Sequence, residues 1–306
     1  MMSLHKDKEA FKDIIESTSA WSSYAQSLIE KDYYATLILK SLISEDFGLV
    51  FKGGTSLSKA FHIINRFSED IDLTYLNKSE LNRKRRKELK YKLVDIVEKN
   101  GLTITNLENT RSKRDFNQYC ISYDNVFPFS SSIKTEVIVE LAFQEEAYPI
   151  DVMPVGSIIG DYLKDNGFDE IIDKYDLKEF NITVQTLMRT FIDKLFAICD
   201  YYLSNRTNNH SRHIYDLHRI SSSIKYDNDF MGLFLLVKNE RKESKICYSA
   251  NTDQKLSSII EEIINKNIFE KDYKKVTTNL ISDETTYTEA ITSLINIKNN
   301  LIKIGL

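Results

Sequence analysis

Where this chain keeps its prolines and glycines limits its architecture more than any other feature. The three prolines, Pro128, Pro149 and Pro154, all fall in the middle, and from Phe168 to Ile304 there is no proline and a single glycine, Gly232. So long a stretch without helix-breaking residues reads as mainly helical. Ahead of Pro154 the texture is mixed. Short β-branched and aromatic runs (Leu49 to Phe51, Ile71 to Tyr75, Leu102 to Ile104, Tyr119 to Ile121, Val137 to Phe143) separate helical segments. Residues up to about Ser44 read as two helices, Lys8 to Glu30 and Tyr33 to Ile43, leading into the first strand. The expected fold class is α+β, with an N-terminal domain over residues 1–165, including leading helices in 1–44, and a mainly helical C-terminal domain over 166–306.

Hydrophobic residues make up 42% of the 306 positions, enough to fill a large core. The formal net charge of -4 excludes a protein that attracts nucleic acid by its overall field, so any such contact must be local. The local candidate for RNA is Arg83-Lys84-Arg85-Arg86-Lys87, continued by Lys90 and Lys92 and opposed only by Glu88; a solvated helix face is the equally good alternative. Cys120, Cys199 and Cys247 are widely spaced and form no CxxC pair, which suggests neither a disulfide framework nor a zinc site. No apolar run approaches a bilayer span and the N-terminus lacks the apolar core of a signal peptide, so a cytoplasmic location without a membrane partner is expected.

The chemistry concentrates in two segments. In Leu49-Val-Phe-Lys-Gly-Gly-Thr-Ser-Leu-Ser-Lys an apolar strand runs into Gly53 and Gly54, whose backbone can approach a phosphate closely, while Thr55 or Ser56 can cap the following helix or donate to a phosphate oxygen. Alone, such a turn is more often structural. In Arg66-Phe-Ser-Glu-Asp-Ile-Asp-Leu, Asp70 and Asp72 alternate with apolar residues, and period two puts both carboxylates on one face of a strand. Adjacent carboxylates repel unless a cation sits between them, which makes the pair a natural Mg²⁺ ligand set. A third carboxylate is expected from the strand Thr135 to Phe143, where Val137, Val139, Leu141 and Phe143 share one face and Glu136 and Glu140 the other. Either can complete the site; Glu140 is preferred.

Farther on, Val184, Leu187, Met188, Phe191, Leu195, Ile198 and Tyr202 recur at helical spacing, with Lys194 at the edge of that stripe. A lysine there either snorkels outward or is aimed at an anion. The next segment, Asn208 to Arg219, is dense in Arg212, His213, Asp216, His218 and Arg219, but the spacing of His210, His213 and His218 matches no common metal motif.

Lys52-Gly-Gly-Thr-Ser-Leu-Ser-Lys, Arg66-Phe-Ser-Glu-Asp-Ile-Asp-Leu, Asp193-Lys-Leu-Phe-Ala and Arg212-His-Ile-Tyr-Asp-Leu, in that order from about Phe51 to Ile220, resemble the AbiEii/AbiGii-type nucleotidyltransferase toxins. The resemblance implies a polymerase-β-like nucleotidyltransferase domain with a mixed sheet, a place in bacterial toxin–antitoxin and phage-defence pairs, and kinship with the MenT toxins, which add nucleotides to tRNA 3′ ends. Carried onto this sequence, it implies nucleotide binding by Lys52, Gly53, Gly54, Thr55, Ser56 and Lys194, Mg²⁺ held by Asp70, Asp72 and Glu140, and Asp216 in the last active-site motif. It also implies an NTP substrate, a tRNA acceptor guided by Arg83 to Lys87, and a cognate antitoxin. Two other readings are an enzyme that modifies a small molecule or protein, indifferent to the basic run, and an inactive regulatory module, indifferent to loss of Asp70.

Overall fold

Seven short strands, β1 (Leu49–Lys52), β2 (Asp70–Tyr75), β3 (Thr103–Ile104), β4 (Phe116–Ser122), β5 (Val137–Ala142), β6 (Ile150–Val155) and β7 (Phe180–Gln185), line up in the order β3-β4-β5-β2-β1-β7-β6. The computed structural model describes residues 2–22, 24–68, 70–77, 80–128, 135–143 and 146–306. Its internal contacts divide it into two units, Met1–Phe61 with Ser68–Val184, and His62–Phe67 with Gln185–Leu306.

The first unit carries the sheet, which is mixed: β1 runs antiparallel to β2 and parallel to β7, while β5 runs parallel to β2 and antiparallel to β4. Strand alternation sorts the side chains. Leu49, Phe51, Ile71, Leu73, Tyr119, Ile121, Val137, Val139, Leu141, Ile182 and Val184 join one buried cluster. Helix α2 (Gln26–Ile43) packs against β2 and β5 and buries Ile38, Leu39 and Leu42 in that cluster, and α4 (Arg83–Lys99) packs on α2 through Leu89, Leu93, Ile96 and Val97. Each fully buried Leu or Ile adds roughly 1.5–3 kcal/mol of transfer free energy. The other face carries Lys52, Asp70, Asp72, Gln118 and Glu140.

The leading helices divide earlier than the sequence suggests. Helix α1 (Lys8–Ser22) stops before α2 begins at Gln26, so Glu30, expected to end the first helix, and Lys31 and Asp32, expected between the two, lie inside α2 and are buried. Distant backbone donors explain it. Glu30 accepts from the N–H groups of Val126 (2.8 Å) and Phe127 (3.1 Å), and Asp32 accepts from that of Ile158 (2.8 Å) and pairs with Lys59 (2.5 Å). Two strands are absent from the sequence reading. Strand β6 contains Pro154 and reads as a connection, yet it is an edge strand, where a missing N–H is tolerated. Strand β7 lies in the stretch expected to be helical; Ile182 and Val184 point into the core there, after α5 (Ile158–Asp165) and α6 (Asp169–Tyr175).

The second unit is helical: α7 (Leu187–Leu203), α8 (Arg212–Ser221), α9 (Asn228–Lys242), α10 (Leu256–Lys266), α11 (Glu270–Lys275) and α12 (Tyr287–Lys303). Helix α8 packs on α7 and α12, burying Ile214, Leu217 and Ile220. Starts are fixed by side chains, Thr186 for α7, Asp227 for α9, and for α12 a reciprocal Thr286–Glu289 capping box. The short segment His62–Phe67 belongs to this unit because its backbone is held there. Phe67 N–H donates to Leu280 O (3.0 Å), Asn65 O accepts from Ser282 N–H (2.7 Å), and Asn65 N–H donates to the Tyr215 hydroxyl (3.0 Å).

Candidate active site

Strand pairing gathers the polar residues of the first unit. The register places Lys52 beside Asp72, Asp72 beside Glu140, and Glu140 beside Gln118, one row across four adjacent strands. Asp70 sits two residues along the same face of β2. At the end of β1 the chain turns at Gly53, with φ 78°, into α3 (Gly53–Lys59). A Cβ at Gly53 would lie 1.9 Å from Asp72 Oδ2, so only glycine lets the turn pass so close to the carboxylate.

The row is acidic and partly buried. Burial raises the Asp72 carboxyl, and the neighbouring Glu140 and Asp70 carboxylates raise it further, to about 7, against the pull of Lys52. Gln118 Nε2 donates to Glu140 Oε1 (2.9 Å) and fixes its orientation. Asp70 Oδ1 is buried without a hydrogen-bond partner among the described residues. Repelling carboxylates and an orphaned acceptor fit a hard dication with oxygen ligands. Asp70 and Asp72 would hold Mg²⁺, with Glu140 beside Asp72. Among the described residues no three His, Cys, Asp or Glu side chains close into a cage. Glu136 points elsewhere, accepting from Thr105 Oγ1 (2.5 Å).

Thr55 and Ser56 are buried, and their hydroxyls serve the turn. Thr55 Oγ1 donates to Asp70 O (2.5 Å) and Ser56 Oγ to Gly53 O (2.9 Å). Thr55 therefore clamps α3 to the first residue of β2, beside the acidic row. Lys59, the last residue of the glycine motif, is also structural, donating to Thr36 (2.8 Å) and Gly156 O (3.1 Å) besides its pair with Asp32.

The second unit brings Lys194 and Asp216 together. Asp216 is fully buried and receives Arg66 twice, Nε on Oδ1 (2.6 Å) and the terminal nitrogen on Oδ2 (2.8 Å), while Lys194 Nζ donates to Oδ2 (2.6 Å). Lys194, only 6% exposed, does not snorkel; it turns inward, because its carboxylate partner Asp216 lies inside. The buried surface of α7 is correspondingly wider than a stripe and includes Arg189 and Asp200, whereas Leu187, Met188 and Tyr202 are partly exposed. Burial opposes the charge on Asp216, but Arg66 and Lys194 outweigh it and hold the carboxyl well below the usual range. Burial lowers Lys194, with Asp216 opposing. The histidines are spent on packing: His210 stacks on Tyr201 with centroids 3.5 Å apart, and burial, with Lys194 and Arg212 nearby, keeps His213 neutral.

The basic run forms the start of α4, capped by Asn82, whose side chain accepts from Arg85 N–H (3.0 Å). It is not uniformly solvated. Arg85 lies over the Tyr75 ring and Arg86 pairs with Asp115 (2.8 Å), leaving Arg83, Lys84 and Lys87 exposed. Two contributors escaped the sequence reading, Gln118 and Arg66. The first had the signal of a polar residue on the non-core face of its strand; the second stood in a recognised motif without an assigned role.

A family model described as the nucleotidyl transferase AbiEii toxin of type IV toxin–antitoxin systems matches residues 38–293. Seven chains of solved structure match, among them MenT4, a nucleotidyltransferase toxin from Mycobacterium tuberculosis, at 17% identity over 89% of this chain and 94% of that one, with a TM-score of 0.45. No curated protein sequence matches the chain. The family model spans most of the chain, including the glycine turn, the acidic row, Lys194 and Asp216, so the protein belongs to the AbiEii nucleotidyltransferase toxins of type IV toxin–antitoxin systems.

Proposed function

We propose that this nucleotidyltransferase moves a nucleoside monophosphate from an NTP to the 3′-hydroxyl of an RNA, with a tRNA end as acceptor and Mg²⁺ as cofactor. The observation that carries the reading is the row Lys52–Asp72–Glu140 with Asp70 beside it, packed so closely on Gly53 that no side chain fits there. Mg²⁺ bound to Asp70 and Asp72 would neutralise charge on the reacting phosphoryl oxygens.

The chain's own groups account for the rest. The acceptor oxygen bonds to the α-phosphorus while the bond from that phosphorus to the oxygen bridging to the β-phosphate breaks, and pyrophosphate leaves with the electron pair. The acceptor's proton passes to a carboxylate oxygen of Asp72 or Glu140, and Gln118 keeps Glu140 turned toward the row. Lys52 offsets part of the negative charge at the strand end. Gly53 and Gly54 allow close approach of the triphosphate, with Thr55 and Ser56 holding their turn; Lys194, which the resemblance assigns to nucleotide phosphates, belongs to the second unit, where Asp216 holds it. Arg83, Lys84 and Lys87, with Arg85 and Arg86 packed behind them, guide the RNA backbone.

Membership of a toxin–antitoxin family implies a cognate antitoxin. Among the described residues no helix is long and apolar enough to cross a membrane; we place the reaction in the cytoplasm. The test is incubation with total tRNA, Mg²⁺ and each labelled NTP in turn, beside Asp72→Ala. Label entering tRNA with the wild-type protein alone supports the reading; no transfer to RNA from any NTP moves the acceptor to a small molecule or a protein.

A further inference from the structure

An aromatic ring stands at the β4 end of the acidic row. Along that strand Asn117, Tyr119 and Ile121 are buried, so Phe116 shares the opposite face with Gln118. Phe116 pairs with Ala142 where Gln118 pairs with Glu140, which sets it about 7 Å along the strand from the row. Its ring is 48% exposed and lies outside the core cluster.

The segment that leads into Phe116 is basic and pinned. Arg111, Lys113 and Arg114 are exposed, while the buried Asn117 side chain accepts from Arg111 N–H (2.8 Å) and donates to Arg111 O (3.0 Å). Phe143 N–H donates to Asp115 O (2.7 Å). Helix α4 is stitched to the same segment: Lys90 Nζ donates to Thr110 O (3.0 Å), and Arg86 donates to Arg114 O (3.3 Å) and pairs with Asp115 (2.8 Å). The basic start of α4 and this segment therefore form one surface that ends at Phe116. The acids along it are engaged. Glu88 stands 4.0 Å from Lys84, Glu108 accepts from Asn109 (3.0 Å), and Asp115 is taken by Arg86. A fixed run of cations ending in an exposed ring suits single-stranded nucleic acid, the charges following phosphates and the ring stacking on a base.

We infer that Phe116 is the platform on which the 3′-terminal base of the RNA acceptor stacks, with Lys113 and its neighbours on the phosphates that precede it. The inference rests on the reading of RNA as the acceptor. Position favours the acceptor over the NTP. The glycine turn follows Lys52 at the β1 end of the row, three strand spacings or about 14 Å from β4. Glu140, the carboxylate of the row nearest Phe116, is one of the two offered for the acceptor's proton. Stacking accepts any base, so the platform would hold the RNA end without selecting its sequence.

The experiment is fluorescence-anisotropy titration of the full chain with 5′-dye-labelled total tRNA over a range of salt, in wild type, Phe116→Ala, Phe116→Trp and Lys113→Glu. Lys113 is chosen because Arg111 and Arg114 also brace loop carbonyls, Thr110 O at 3.2 Å and Asn109 O at 2.9 Å. Thermal melting and calorimetric binding of an α,β-methylene NTP analogue with Mg²⁺ accompany each variant. Phe116→Ala should bind tRNA about tenfold more weakly, the loss of one base stack, at an unchanged salt slope because no phosphate contact is lost. Phe116→Trp should recover the affinity, and Lys113→Glu should reduce the salt slope by roughly one. Analogue binding should stay at the wild-type level throughout. Phe116→Ala binding tRNA within about twofold of wild type overturns the inference and leaves the ring to a protein partner. Equal losses of tRNA and analogue binding overturn it too, since they mark a role in the fold or in the nucleotide's own site. If the wild type neither binds tRNA nor transfers to it, the RNA reading falls and takes the inference with it, a result distinct from either.

Discussion

Gly53→Ala is the perturbation whose effect the geometry fixes most closely. The new Cβ would stand 1.9 Å from Asp72 Oδ2, 2.8 Å from Cγ and 3.0 Å from Cβ, so turning the carboxylate alone does not clear it. Ordinary van der Waals contact begins near 3.4 Å, which requires Asp72 and the turn to separate by about 1.5 Å. The backbone conformation at φ 78° adds roughly 1–2 kcal/mol for any residue with a Cβ. The first effect dominates function, because a displacement of about 1 Å in a group that positions the reaction costs ~100-fold in rate. Initial rates of label transfer to RNA at saturating NTP and Mg²⁺, with melting curves, should show a folded protein slowed about 100-fold. A folded Gly53→Ala that transfers within about threefold of wild type would refute the packing of the turn on Asp72.

Three further outcomes follow from the charges. Asp72→Asn should abolish transfer yet stabilise the metal-free protein at pH 8: the folded-state carboxyl is raised to about 7 by burial, Glu140 and Asp70, so ionising it costs stability as pH rises through the range from its unfolded value to about 7. Melting curves of the two proteins should converge near pH 4. Asp216→Ala removes the carboxylate that two buried cations share and should cost about 3–5 kcal/mol by urea denaturation. Because Arg66 and Lys194 depress the folded-state carboxyl of Asp216, the stability it contributes is full above the ordinary carboxylate range and is lost as pH falls through the folded value, so the gap between wild type and variant should narrow only in strong acid. Reversing charge at Arg83, Lys84 and Lys87 should weaken RNA binding and reduce its salt slope by roughly one for each phosphate no longer neutralised, with analogue binding unchanged; an unchanged salt slope places the RNA elsewhere.

The α+β class and five strands of the sheet were legible because alternation and core burial coincide: Ile71, Leu73, Val137, Val139 and Leu141 face inward as their spacing demands. Strands β6 and β7 were not, since one carries a proline at a sheet edge and the other sits among helix-compatible residues, and only pairing decides such cases. Asp70 and Asp72 could be read as a same-face pair, but sequence spacing has no way to say that Glu140, 68 positions after Asp72, lies directly beside it; the parallel β2–β5 register supplies that. Lys194 illustrates the reverse limit. Its place on the helix was evident, but its direction depended on Asp216 and Arg66, one on the next helix and the other far upstream in the chain.

The most direct test of transfer from the acidic row is the mass of the acceptor. After reaction with one unlabelled NTP and Mg²⁺, RNA fragments from the 3′ end should gain whole nucleotide increments, matched mole for mole by released pyrophosphate, and neither should appear with Asp70→Ala or Asp72→Ala. Nucleotide addition that persists in both variants, or pyrophosphate release without a heavier 3′ fragment, would contradict the account.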